Sequence, residues 1–156
     1  MSISIIIITF NESINIQRCL ESVKWADEII IVDSGSNDNT VKISKQYTNL
    51  VYEVDWPGFG PQKNRALAHA TSDWVLSIDA DEFISEDLKN EILETVQSKE
   101  FNAYKIPRLS SYCGKFLKHG GWWPDHVTRL IKKGEGRFTN DLIHEKIITD
   151  GAVGIL

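Results

Sequence analysis

Apolar residues in the first hundred positions fall into two alternating kinds of segment. Residues 2–9 form a short isoleucine-rich run, and continuous β-branched runs of this length read as strands buried on both faces. Residues 14–23 place Ile16, Leu20 and Val23 at i, i+4 and i+7, the spacing of one helix face. Residues 28–32 repeat the buried-strand pattern. Asp38 can cap a helix reaching residue 47, and residues 50–54 predict a third strand. Pro61 suits the first turn of a helix running to residue 70, and residues 74–78 predict a fourth strand. Ser85 can cap a further helix, with Glu86 and Asp87 in its first turn and Leu88, Ile92 and Val96 along one side.

Strands and helices alternating at this spacing predict βαβ units and a parallel sheet, hence an α/β fold. Beyond residue 100 the pattern changes. Residues 103–109, 126–132 and 143–148 read as strands joined by loops rich in Gly, Trp and Lys. We expect a single domain whose ligand-binding βα half is residues 1–100, with residues 101–156 forming the other half. The closing Gly154-Ile155-Leu156 shows no capped terminal element, which is compatible with a chain cut short at its C-terminus.

Composition narrows the class. A chain that is 42% hydrophobic and 25% charged is that of a soluble globular protein, and no stretch approaches the roughly 20 apolar residues that span a bilayer. The opening run lacks a basic leader and a small-residue cleavage site, so it reads as a buried strand and not as a signal peptide. Cys19 and Cys113 sit in no CxxC pattern and read as free thiols of the cytoplasm. The net charge of -5 hides an asymmetry: residues 1–100 hold 8 Lys and Arg against 17 Asp and Glu, whereas residues 101–147 hold 9 against 4. An acidic half suits a cation, and a basic half suits phosphates or an anionic membrane surface; chance segregation of solvated charge is the plain alternative. The net charge and the lack of a basic helix argue against nucleic-acid binding.

In an open α/β sheet, ligands bind beyond the carboxyl ends of the strands. Those ends carry Thr9-Phe10-Asn11-Glu12, Asp33-Ser34-Gly35-Ser36, Asp55-Trp56-Pro57-Gly58 and Asp79-Ala80-Asp81-Glu82. Turn chemistry accounts for residues 34–38. It accounts poorly for Asp79-Ala80-Asp81, because carboxylates at i and i+2 repel unless solvated or neutralised. Such a pair after a buried strand suits Mg²⁺ or Mn²⁺ shared with substrate phosphates. No GxxxxGK[ST] occurs, and Gly58-Phe59-Gly60 fails the GxGxxG pattern at its third glycine, so a P-loop and a dinucleotide fingerprint are excluded.

Four segments together resemble glycosyltransferase family 2: Ile5-Ile6-Ile7-Ile8-Thr9-Phe10-Asn11-Glu12, Ile31-Val32-Asp33-Ser34-Gly35-Ser36, Gln62-Lys63-Asn64-Arg65-Ala66-Leu67 and Ile78-Asp79-Ala80-Asp81-Glu82. Trp122-Trp123-Pro124, Thr128-Arg129-Leu130 and Ile143-His144-Glu145 are similar to a bacterial branch that includes lipopolysaccharide-core β-glucosyltransferases. The resemblance implies a GT-A fold: a Rossmann-like, mostly parallel sheet flanked by helices, with a small mixed extension on the acceptor side. It implies that Thr9, Asn11 and Glu12 border a nucleoside pocket and that Asp33 reaches the uracil or ribose. Family members often have a second acidic residue where Ser34 stands, so the base contact differs here. Asp79 and Asp81 would carry ribose and metal contacts, with Asp81 the direct ligand of Mn²⁺ or Mg²⁺. Lys63 and Arg65 would contact the diphosphate or lie in solvent, and Arg129 would pair with a phosphate or form a structural ion pair.

The implied function is inverting transfer of a sugar, glucose by the branch resemblance, from a UDP-sugar to a saccharide or lipid-linked acceptor such as lipopolysaccharide core. The setting is cytoplasmic, with peripheral contact to the inner face of the membrane as an option. Inversion needs a carboxylate to take the acceptor proton, and the second half offers few. Glu145 is the first choice, at what reads as a strand start; Asp141 is second and Asp125 third, while Glu135 reads as an exposed turn residue. Trp122 and Trp123 suit the apolar face of an acceptor sugar, whereas Trp25, Trp56 and Trp74 read as packing. Two rival classes remain: a nucleotidyltransferase, disfavoured by the absence of a Gly-rich basic loop after the first strand, and a non-catalytic nucleotide-sugar-binding fragment.

Overall fold

A computed structural model describes residues 1–98, 100–109, 111–112, 115–116 and 124–156. The βα half runs β1 (Ile3–Thr9), α1 (Ile16–Val23), β2 (Glu28–Asp33), α2 (Thr40–Ser44), β3 (Val51–Glu53), α3 (Phe59–His69), β4 (Trp74–Ser77) and α4 (Glu86–Thr95). The remainder is β5 (Ala103–Arg108), β6 (Ser111–Tyr112), β7 (Lys115–Phe116), β8 (Asp125–Lys132), β9 (Gly136–Phe138), β10 (Ile147–Thr149) and β11 (Val153–Ile155). Seven strands form one sheet in the order β11-β5-β8-β4-β1-β2-β3. β1 to β4 are mutually parallel where they pair, and β8 enters antiparallel to both β4 and β5. The smaller pairs β9–β10 and β6–β7 are antiparallel.

The isoleucine run explains why β1 is central. All seven of its residues are buried, and strand side chains alternate between faces. Ile3, Ile5 and Ile7 therefore pack with Ile16, Leu20 and Val23 of α1 and Ile92 of α4. Ile6 and Ile8 pack on the other face with Ala66 of α3, Ala70 and Ile131. A strand covered on both faces has no polar positions to alternate, which is why its pattern is continuous. The chain runs outward from β1 to β2 and β3, then crosses back to β4 on the far side of β1. That reversal opens a crevice at the carboxyl ends of β1 and β4.

Three expectations are corrected. Asp38 does not cap a helix reaching residue 47. The short α2 has Asn39 at its N-cap, and Asp38 instead accepts hydrogen bonds from the backbone N–H groups of Thr40 and Ser13, joining the loops after β1 and β2. Residues 143–148 are not one strand, since only Ile147–Thr149 pairs, against Gly136–Phe138. The preceding residues are held by the start of α3, where Phe59 N and Gly60 N donate to the carbonyls of Leu142 and Asp141. His144 then takes a left-handed φ of 62° that breaks the extended path. Finally, residues 153–155 do form a strand, parallel to β5. Gly154 weakens its sequence signal, yet a Cβ there would sit 2.5 Å from the Tyr104 ring, so the strand fits beside that ring only as glycine.

Gly60 has the same meaning for the docked loop. A Cβ on it would lie 1.9 Å from the Thr139 carbonyl oxygen, a backbone atom. Overpacking of this kind costs about 1–3 kcal/mol or more. Gly60→Ala should therefore lower the Tm by several degrees, whereas Gly151→Ala, with nothing within 4 Å of the added Cβ, should leave it unchanged. Equal melting curves for Gly60→Ala and the wild type would show that the loop is not held against α3.

Candidate active site at the carboxyl edge of the sheet

The crevice is a cleft of about 630 Å³. One wall is Ile8, Thr9, Phe10 and Glu12 at the end of β1, with Ser34 beyond β2. The facing wall is Asp79, Ala80 and Asp81 after β4, and Trp56 and Phe59 stand at its mouth. These two rings meet edge to face with centroids 4.8 Å apart, and Trp56 is 47% exposed. Sequence reasoning placed Trp56 in packing. Its position at the carboxyl end of the third strand, where ligands bind, was the signal that pointed elsewhere.

Asp33 is fully buried at the end of β2. Its oxygens accept from the backbone N–H of Gly35 and Ser36 and from the hydroxyls of Ser36 (2.6 Å) and Thr9 (2.8 Å). A carboxylate with four donors braces the loop that presents Ser34, and a direct contact to a nucleoside would have to displace one of them. Asn11, in the left-handed conformation that Asn tolerates, links the same loops. Its N–H donates to Ser36 Oγ, and its Oδ1 accepts from Asn37 N. Glu12 lines the cleft and turns the chain into α1, its carbonyl accepting from the N–H groups of Asn15 and Ile16.

The other wall is a charge network of two buried cations and partly exposed carboxylates. Asp79 Oδ2 accepts from Arg129 of β8 at 2.9 Å, and Oδ1 accepts from Lys63 of α3 at 2.8 Å. Arg129 also reaches Glu82 Oε1 at 3.0 Å, and Glu82 Oε2 accepts from Asp79 N. Lys63 forms an ion pair with Glu145 Oε1 at 2.6 Å. Burial alone would raise the Asp79 carboxyl, but Arg129 and Lys63 overcome it and hold the group well below its ordinary value. Burial pushes the Glu82 carboxyl up; Arg129 opposes this, and the charge on Asp79 adds to the rise. Burial, reinforced by Glu82, Asp81 and Asp79, pushes the Cys19 thiol up to about 12, so it is an inert core thiol.

The network brings together four residues that the sequence singled out, Asp79, Lys63, Arg129 and Glu145, and Asp81 lies beside it on the cleft wall. Of the two readings for Arg129, the ion pair is what the fold builds. Lys63, Arg65, Arg129 and Glu145 all lie outside the cleft lining; Lys63 is held by two carboxylates, and Arg65 bonds Asp55 at 2.9 Å. Glu145 is not at a strand start but in the loop before β10. The Asp141 side chain is exposed, and its carbonyl serves the N-terminus of α3. Asp125 is in a half-exposed pair with Arg108. Trp122 and Trp123 lie outside the described residues. Glu82 received no role from the sequence, although it stands in the quoted motif, because only the fold turns it back onto Asp79.

Asp81 is exposed on the cleft wall, and its carbonyl accepts from Arg18. Among the described residues no group of three or more His, Cys, Asp or Glu is arranged to hold a metal. With Asp79 already paired to two cations, the donor set fits a hard divalent ion that brings phosphate oxygens and waters with it, and does not fit an all-protein cage.

The family model for glycosyl transferase family 2 matches residues 4–154. The chain belongs to this family. A lipopolysaccharide core biosynthesis glycosyltransferase of Rhizobium meliloti, LpsC, is 32% identical over 99% of the chain and 60% of its own length. A glycosyltransferase of Rickettsia prowazekii is 37% identical over 94% of the chain and 52% of its own length. The chain thus spans little more than half the length of these relatives. The crystal structure of S. aureus TarS 1-349 superposes over 100% of the chain and 58% of TarS, with a TM-score of 0.74 at 18% identity. The fold is therefore that of the GT-A glycosyltransferases, a mostly parallel Rossmann-like sheet with helices and a mixed extension. A Mycobacterium tuberculosis glucosyl-3-phosphoglycerate synthase, solved with Mn²⁺, UDP and glucosyl-3-phosphoglycerate, covers 67% of the chain and 43% of that structure, with a TM-score of 0.57 at 25% identity. Among the described residues no helix is long and apolar enough to cross a membrane.

Arg129, 9% exposed, tests the network. Removing one partner of a buried ion pair typically costs about 3–5 kcal/mol, because the other charge is left uncompensated. Arg129→Met should lose stability of that order in urea unfolding, and adding Glu82→Gln should recover part of it. A loss below about 1 kcal/mol, the scale of exposed pairs, would mean that the network contributes little.

Proposed function

We propose that this domain binds a UDP-sugar in the cleft and transfers the sugar, with inversion, to a hydroxyl of a saccharide or lipid-linked acceptor. The observation that carries the proposal is the meeting of the Asp79-Ala80-Asp81 turn on the cleft wall with Glu145, joined to it through Lys63. Residues 1–100 then act as the donor half and residues 101–156 as the acceptor side. Family membership supports sugar transfer as the reaction class. The UDP and UDP-GlcNAc complexes of TarS and the Mn²⁺–UDP complex of the mycobacterial synthase support the donor and metal classes. The name of LpsC supports a lipopolysaccharide-core acceptor. Glucose as the donor sugar follows from the branch resemblance; the free thiols support a cytoplasmic site, and the basic second half allows peripheral membrane contact.

In this reading Asp33 keeps the loop 34–36 in place while Thr9, Glu12 and Ser34 border the nucleoside. Asp81, with Asp79 beside it, would hold Mn²⁺ or Mg²⁺, which when bound offsets the negative charge gathering on the leaving diphosphate. Arg129 keeps Asp79 ionised without leaving the core. Glu145 accepts the proton of the acceptor hydroxyl as oxygen attacks the anomeric carbon from the side opposite the nucleotide, so no covalent intermediate with the protein is needed. Asp141 is the second choice for that role.

Calorimetry checks the donor side. UDP should bind much more tightly with Mn²⁺ than with EDTA, because a cation relieves the repulsion between Asp81 and the diphosphate. Asp81→Asn should lose most of that difference while keeping the wild-type melting temperature, and equal affinity with and without metal would rule out the metal role. Turnover checks the base. Glu145→Gln should reduce it by about 10²–10⁴-fold, the usual contribution of general-base catalysis, with UDP affinity unchanged. Near-normal turnover in Glu145→Gln together with loss of activity in Asp141→Asn would move the role to Asp141.

A further inference from the structure

We propose that Lys63 is a positioning residue that aims Glu145 at the cleft and ties it to the donor half, and is not a ligand of the donor diphosphate. The inference rests on the glycosyltransferase reading for the role of Glu145, but its geometry stands by itself. Lys63 is 4% exposed, and an ammonium so deeply buried needs partners for its donors. It has Asp79 at 2.8 Å, Glu145 at 2.6 Å and the Phe138 ring centroid at 5.8 Å. These partners come from three places: the end of β4, the loop before β10, and β9. Asp79 does not depend on Lys63 alone, since Arg129 serves its other oxygen. Among the described residues, no other cation forms an ion pair with Glu145.

The rest of α3 is built to make this contact reproducible. One residue along, Asn64 bonds the backbone of Phe138 twice, donating to its carbonyl at 3.0 Å and accepting from its N–H at 2.9 Å. One turn earlier, Gly60 receives the Asp141 carbonyl. The loop between these anchors therefore has a fixed register against the helix. His144, held at φ 62°, reverses the chain just before Glu145. A lysine that swung out to serve the diphosphate would leave Glu145, 14% exposed, without its cation.

The two roles separate experimentally in the full chain. Lys63→Met should leave UDP binding with Mn²⁺ no weaker than wild type while turnover falls by about 10²-fold or more, the scale expected for a misplaced general base. Lys63→Met combined with Glu145→Gln should be no slower than Glu145→Gln alone, because groups that act as one unit are not additive. A thermal-unfolding cycle of the same four proteins reads the contact without any activity: Glu145→Gln should restore part of the Tm lost in Lys63→Met. Should Lys63→Met not fold, Lys63→Gln, which still donates hydrogen bonds, replaces it in the cycle. A tenfold or greater loss of UDP affinity in the Lys63 variant would overturn the proposal in favour of a diphosphate ligand. Additive melting temperatures would overturn it as well. A wild-type chain that fails to bind UDP with Mn²⁺ would sink the donor reading, while the unfolding cycle still decides whether Lys63 holds Glu145.

Discussion

Asp79, half-buried on the cleft wall, stays ionised because Arg129 and Lys63 each give one of its oxygens a charge-assisted hydrogen bond. Much else follows from that demand. Arg129 has to arrive from β8, which enters antiparallel beside β4, so the second half of the chain must lie against the edge of the first. Lys63 has to arrive from α3 on the other side. The residual charge of the cations is then met by Glu82 and Glu145. A buried cluster of this kind is weak evidence for stability as such; its effect here is to fix where the Asp79-Ala80-Asp81 turn sits and which oxygens remain open to the cleft.

Helix α3 is the mechanical link between the two halves. Its inner face packs Ala66 against β1 and β2, and its first turn has N–H groups with no partner inside the helix. A helix start of that sort often receives an anion. Here the carbonyls of Asp141 and Leu142 take two of those donors, so the loop of residues 139–142 occupies the place where an anion would otherwise be welcome. The same docking lays Leu142 over Gly58, next to the Trp56–Phe59 pair at the mouth of the cleft.

The architecture of the βα half was legible in the chain because its signals are local. A run of isoleucines has one good solution, a strand covered on both faces, and the helices announce themselves by period and by the cap at Ser85, whose hydroxyl accepts from Leu88 N. The strand ends named the cleft residues for the same reason: backbone direction alone decides which end of a parallel strand faces the ligand. Asp79 and Asp81 stood out because carboxylates at i and i+2 need solvent or a neutralising partner, and the fold gives Asp79 two cations and leaves Asp81 exposed.

What only the tertiary structure decided were the partners of those charges. No spacing rule connects Lys63 to Glu145 or Arg129 to Glu82, because each contact joins elements brought together by the order of strands in the sheet. Burial places Lys63 between two carboxylates and gives Asp33 four donors of its own. Loop conformation was equally hidden. Residues 143–148 carry the apolar pattern of a strand, but α3 claims the carbonyls just before them and His144 reverses the chain. The sequence alone determined which groups were available and on which strand ends they lie. Their charge state, orientation and reach depend on desolvation and on contacts distant in sequence, which exist only once the sheet has closed around them.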